Sequence, residues 1–129
     1  MAHLAFSGSY NHSLDGKGRA IIPTSFREAL GENFTLTINP TRTAVALYPQ
    51  EEWEHQLERL SHINPMDKIG LQYERYLMSV SFSGNSMDAQ GRVLIPAKLR
   101  TKIGLTRDIV FVGMNDYIEI WDAEVYAKM

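Results

Sequence analysis

From Ser7 to Leu14 the chain is polar with scattered apolar positions, and it runs into Asp15-Gly16-Lys17-Gly18. An Asp-Gly pair and a second Gly supply the positive-φ positions of a tight turn. Arg19-Ala20-Ile21-Ile22 follows as a short strand, so the pattern predicts a hairpin closed by that turn. Pro23 ends the strand, and Thr24 or Ser25 is placed to cap a helix on which Phe26, Ala29 and Leu30 share one face as far as Gly31. Phe34 to Ile38 then alternates with period two, Asn39-Pro40 turns, and Ala44 to Tyr48 returns as a more apolar strand. The predicted order is β-β-α-β-β.

That order occurs twice. Asp15, Gly18, Arg19, Ile22, Pro23, Arg27 and Gly31 recur at a constant offset of 73 as Asp88, Gly91, Arg92, Ile95, Pro96, Arg100 and Gly104. Leu47-Tyr48, Glu51 and Trp53 meet Ile120-Trp121, Glu124 and Tyr126 at the same offset, with no gap. A match of so many charged, Gly and Pro positions in one register reads as duplication. The second copy repeats the elements over Ser81 to Met87, Arg92 to Ile95, Ala97 to Ile103, Asp108 to Gly113 and Tyr117 to Trp121.

Amphipathic segments join the copies. Trp53, Leu57 and Leu60 fall at helical spacing, as do Ile69, Tyr73, Tyr76, Leu77 and Val80, with Ser61 to Pro65 between them as the linker. A module of about 50 residues has a marginal core, so the two copies are expected to share one and subunits to pack through these helices. The fold class is α+β with a pseudo-twofold tandem, divided into a first module with its trailing helix over residues 1–60 and a linker helix with the second module over 61–129.

Composition narrows the function. The 129 residues are 44% hydrophobic and 22% charged, as expected of a folded globular chain. With no cysteine, disulfides, thiolate metal sites and cysteine nucleophiles are excluded. The start of the chain lacks the basic and apolar regions of a signal peptide, and no stretch approaches the roughly 18 apolar residues of a membrane span. A cytoplasmic protein is expected. The formal net charge of −2 argues mildly against nucleic acid, but its distribution matters more. Residues 88–107 hold Arg92, Lys98, Arg100, Lys102 and Arg107 against Asp88 alone. A solvated helix face accounts for such a run as readily as a binding surface.

The doubled motif carries the identification. Asp15-Gly16-Lys17-Gly18-Arg19 with Ile22-Pro23 and Arg27, and Asp88-Ala89-Gln90-Gly91-Arg92 with Ile95-Pro96 and Arg100, resemble the MraZ proteins of bacteria, within the wider AbrB-like swapped-hairpin group. The resemblance extends through Arg27 to Gly31, Leu47-Tyr48-Pro49 with Glu52-Trp53, Val112-Gly113 and Glu119 to Asp122, so it covers nearly the whole chain. It implies tandem swapped-hairpin modules and a nucleoid-associated transcriptional regulator that forms rings of identical subunits. Such a regulator binds short direct DNA repeats upstream of a cell-division and cell-wall gene cluster that includes its own gene. The Asp-x-x-x-Arg element tied to DNA binding maps onto Asp15 with Arg19 and Asp88 with Arg92.

Arg19 and Arg92 suit that task because a Gly-flanked loop lets a planar guanidinium approach guanine or phosphate at two points. Lys17 adds a mobile charge, while Gln90 takes its place in the second copy, and Lys98 and Lys102 are candidate auxiliary DNA contacts. Asp15 and Asp88 would repel phosphate if they faced it, so they are expected to hold the turn with Gly18 and Gly91 and to orient the Arg from behind. Taken alone, an Asp-Arg pair beside a tight turn reads first as a fold-stabilising ion pair. The repeat shifts the balance, since a ring presenting identical loops strengthens a weak contact through effective concentration. Glu51, Glu52, Glu54 and Glu58 would then acidify another side of the molecule. Arg27 and Arg100 read as structural, pairing with acidic neighbours.

Other classes fit less well. His3, His12, His55 and His62 lack metal-ligand spacing, and neither a phosphate loop nor a nucleophile elbow is present, so no catalytic site, metal site, cofactor or small-molecule substrate is expected. Trp53 and Trp121 read as packing anchors, and Met78, Phe82 and Met87 as core or subunit contacts. The loop segments contain no aromatic residue, which favours double-stranded over single-stranded DNA. The alternative is a protein-binding module of the antitoxin type, although such antitoxins usually carry one hairpin copy and a disordered tail.

Overall fold

A computed structural model of the chain describes residues 5–129, so His3 lies outside the described residues. The first copy contributes β1 (Ser9–Ser13), β2 (Arg19–Ile21), α1 (Thr24–Leu30), β3 (Phe34–Ile38) and β4 (Val45–Pro49). Two helices follow, α2 (Gln50–Ser61) and α3 (Lys68–Ser79). The second copy supplies β5 (Phe82–Asn85), β6 (Arg92–Leu94), α4 (Ala97–Ile103), β7 (Asp108–Gly113), β8 (Ile118–Asp122) and α5 (Ala123–Ala127). The repeat register carries β2 onto β6, α1 onto α4 and β4 onto β8 residue for residue.

The predicted hairpin between β1 and β2 is corrected. Its turn forms, closed by Asp15 N–H to the Arg19 carbonyl at 2.9 Å and Gly18 N–H to the Asp15 carbonyl at 3.1 Å. The strands on either side then part company and pair with the other copy. β1 runs antiparallel to β7, with Ser9 opposite Val112 and Ser13 opposite Asp108, and β5 lies against β3 in the reciprocal arrangement. The result is a six-stranded sheet ordered β1-β7-β8-β4-β3-β5, with the β3–β4 and β7–β8 hairpins of the two copies meeting at the β4–β8 pair, and a separate two-stranded ribbon of β2 and β6. The chain exchanges strands with itself.

Alternation along β4 sorts the two faces of the large sheet, because successive side chains point to opposite sides. Val45 and Leu47 join a core that also holds Ala20, Ile22, Phe26, Leu30, Val93, Ile95 and Leu99, so the ribbon and the short helices of both copies share one interior. Ala46 and Tyr48 face the other way, against Trp53, Leu60 and Leu77 of α2 and α3. Tyr48 packs on Trp53 with ring centroids 5.8 Å apart, and its repeat equivalents Trp121 and Tyr126 do the same at 5.6 Å. Both Trp are buried, as packing anchors should be. Phe82 and Met87 pack against the core, whereas Met78 is exposed.

A polar cluster lies on the helix-covered face. Buried Glu119 accepts from Asn39 Nδ2 at 2.8 Å and Tyr117 Oη at 3.3 Å on one oxygen, and from Trp121 Nε1 at 2.9 Å on the other. Burial, followed by the nearby Glu119 carboxylate, pushes the Tyr117 hydroxyl up to about 12. The expected side-chain caps of α1 are absent: Pro23 occupies the capping position, and Ser25 Oγ instead donates to Tyr10 Oη at 3.1 Å.

Candidate nucleic-acid interface

The ribbon places both motif loops on one exposed surface. Arg19 stands opposite Leu94, Ala20 opposite Val93 and Ile21 opposite Arg92. The ladder is extended by Ile22 N–H to the Gly91 carbonyl at 2.9 Å and Ile95 N–H to the Gly18 carbonyl at 3.0 Å. Antiparallel partners share a face, so Ala20 and Val93 turn into the core while Arg19, Ile21, Arg92 and Leu94 form the outer face. Ile21 is 45% and Leu94 55% exposed, each standing opposite the Arg of the other strand. The two turns sit at opposite ends of this strip.

Each turn is organised by its Asp. One oxygen of Asp15 accepts the N–H groups of Lys17 and Arg19, both at 2.9 Å, and the other accepts Arg19 Nε–H at 2.7 Å. Asp88 repeats this with Gln90 at 2.9 Å, Arg92 N–H at 2.8 Å and Arg92 Nε–H at 2.7 Å. The Arg19 backbone N–H is the largest influence holding the Asp15 carboxyl down to about 2, helped by the Arg19 side chain and the Lys17 N–H. Asp88 is lowered by the same set from its own loop. Gly18 at φ 82° and Gly91 at φ 78° occupy the left-handed region that lets the chain turn into the ribbon. Holding Arg by Nε fixes the plane of its guanidinium while leaving the Nη donors out of the ion pair.

Among the residues expected to take part, Lys17, Arg19, Gln90 and Arg92 come together with Asp15, Gly18, Asp88 and Gly91 on the ribbon and its turns. Lys98 is engaged elsewhere, donating from Nζ to the Ser79 carbonyl at the end of α3 at 2.7 Å. Lys102 lies in the last turn of α4. Ile21 and Leu94 were not singled out from sequence, although period two places each on the face of its own Arg. Arg27 and Arg100 correct a further expectation: their Nε–H groups donate to the Ile22 and Ile95 carbonyls at 2.8 and 2.9 Å, and neither appears among the described ion pairs. Among the described residues, no group of three or more His, Asp or Glu is placed to hold a metal ion, and no helix is long and apolar enough to cross a membrane.

Comparison with known proteins adds an independent line. The family described as MraZ protein, antitoxin-like, matches residues 5–69 and 83–129. A transcriptional regulator MraZ from Lachnoclostridium phytofermentans is 45% identical over 119 residues, covering 92% of this chain and 82% of its own. One from Clostridium tetani is 40% identical over 123 residues, 95% of this chain and 85% of its own. A third, from Thermoanaerobacter, is 37% identical over 121 residues, 94% and 83% of the two chains.

Proposed function

The chain belongs to the MraZ family, whose similar members are named transcriptional regulators, and from that premise we propose that it regulates transcription by docking the β2–β6 ribbon on double-stranded DNA. The observation that carries this reading is the outer face of the ribbon, where two Asp-oriented Arg flank two exposed aliphatic side chains. The major groove admits a two-stranded ribbon, and its edges offer guanine acceptors to Arg and thymine methyl groups to aliphatic side chains. Lys17 meets phosphate as a mobile charge, and Gln90 gives the second loop a neutral counterpart.

The negative net charge is compatible with this. The alternation of β4 puts the ribbon and α2 on opposite faces of the large sheet, so the glutamates of α2 lie away from the contact surface. Exposed Leu57, Ile69 and Tyr73 on α2 and α3 supply the surface through which we expect identical subunits to close into a ring, repeating the ribbon at regular intervals. The target we propose is the direct repeats in the promoter of the chain's own cell-division and cell-wall gene cluster, which makes it a cytoplasmic, nucleoid-associated protein. A protein partner of the antitoxin kind is the second reading, favoured only by the wording of the family description.

The test is binding to duplex DNA from the gene's own upstream region and to a scrambled duplex across a salt series, with Arg19→Ala and Arg92→Ala in parallel. Sequence-selective binding that falls steeply with salt and is weakened in both variants supports the proposal. Failure of a correctly assembled protein to prefer its own upstream DNA rejects it.

A further inference from the structure

Arg27 and Arg100 match in the repeat yet lie outside the Asp-Arg motif, and the structure gives them a crossed geometry. The guanidinium of Arg27, from α1 of the first copy, lies against Gly91 of the second copy's turn: a Cβ on Gly91 would stand 2.6 Å from its Nη2 and closer still to its Cζ. Arg100, from α4 of the second copy, covers Gly18 of the first turn, where a Cβ would stand 2.5 Å from Cζ and 2.6 Å from Nε. Each Arg is also tied to the residue that bonds the turn it covers. Ile22 donates its N–H to the Gly91 carbonyl at 2.9 Å and accepts Arg27 Nε–H on its own carbonyl at 2.8 Å. The equivalent circuit runs from Gly18 through Ile95 to Arg100.

We propose that Arg27 and Arg100 are crossed positioning residues, each holding the motif loop of the opposite copy in its DNA-reading shape. Each loop then depends on the opposite copy: the first copy's helix sets the Arg92 loop, and the second copy's helix sets the Arg19 loop. The planar guanidinium is needed because it lies flat on a glycine while Nε is spent on a carbonyl, which the single ammonium of Lys cannot reproduce. Glycine is needed at both turns for the same close approach, beyond the positive φ that each adopts. The effect of the brace on DNA rests on the ribbon reading, whereas the brace itself does not.

Hydrogen–deuterium exchange on the full-length assembled protein tests the brace without DNA. Arg27→Ala is expected to speed exchange several-fold at the Gln90 and Arg92 amides, which bond to Asp88, and to leave those of Lys17 and Arg19 unchanged; Arg100→Ala should do the reverse. Arg27→Lys should loosen the second loop like Arg27→Ala. Should an Ala variant fail to assemble, the Gln variant is measured in its place. Loosening confined to the loop of the same copy, equal loosening of both loops, or full protection by Lys overturns the proposal. In DNA binding, Arg27→Ala is expected to be non-additive with Arg92→Ala and additive with Arg19→Ala. A wild-type protein that does not select DNA removes the ribbon reading but leaves the crossed exchange pattern to decide the brace.

Discussion

Glu119 Oε2 accepts a hydrogen bond from Asn39 Nδ2 at 2.8 Å, joining the second copy's last strand to the end of β3 in the first. Its other oxygen is taken by the Trp121 indole at 2.9 Å, so both oxygens act as acceptors in a buried site. Glu119→Ala leaves the Trp121 indole N–H without a partner and Asn39 Nδ2 with only Thr43 Oγ1, and an orphaned buried group costs about 1–3 kcal/mol. Glu119→Gln offers only one acceptor oxygen and turns an N–H₂ group toward another donor, so it should also destabilise. Thermal unfolding of both variants checks this; an unchanged midpoint for Glu119→Ala would show that the cluster contributes nothing net.

Arg19→Ala and Arg92→Ala should each cost about 1–3 kcal/mol of specific binding and relax the preferred base at the contacted position. Lys17→Ala should weaken binding to all sequences alike and lower the salt slope by about one. Titrations of specific and scrambled duplexes at several salt concentrations separate the two behaviours. A salt slope unchanged by Lys17→Ala would remove that side chain from the phosphate contacts.

Ile21 and Leu94 make a different prediction, because an aliphatic side chain discriminates the thymine methyl group and nothing else on that base edge. Replacing thymine by deoxyuridine in the bound duplex should reduce affinity for the wild type. It should have little further effect on Ile21→Ala combined with Leu94→Ala. Equal sensitivity to deoxyuridine in both proteins would exclude the methyl contact.

The Asp15 carboxyl sits at about 2, below its ordinary 3.8, so its contribution to the folded loop is complete above 3.8 and is lost as pH falls through 2. Between pH 5 and 8 neither Asp15 nor Asp88 should change the loop or its affinity for DNA. Carboxyl carbon shifts of labelled aspartate provide the readout: the Asp15 midpoint should fall near 2, and one at or above the ordinary value would contradict the hydrogen-bond geometry.

The offset of 73 anticipates the element order and the paired motifs, since Gly, Pro and charge placement are local requirements of turns and helix ends. The partners of the strands were not legible. Ser9 to Ser13 is a polar strand with little apolar patterning to set its register, so nothing local distinguishes pairing with β2 from pairing with β7. Ile21 and Leu94 were hidden for the opposite reason. Beside Ile22 and Ile95 they look like more core, and the packing of Ala20 and Val93 into the interior decides that the face they share with Arg19 and Arg92 is the outer one. Arg27 and Arg100 are plain in the repeat, but their crossed contacts depend on two glycine turns reached through the exchange of copies.

The strand exchange also fixes the order in which this chain can fold as it is made. β1 emerges first from the ribosome, but its partner β7 is among the last segments synthesised, and β2 must likewise wait for β6. The first copy can close its β3–β4 hairpin early, yet it leaves open the edge of β3 that β5 later covers. Such a nascent half exposes unpaired strand edges until translation is nearly over. Translation that stops between the copies therefore yields a sticky fragment rather than a smaller working regulator.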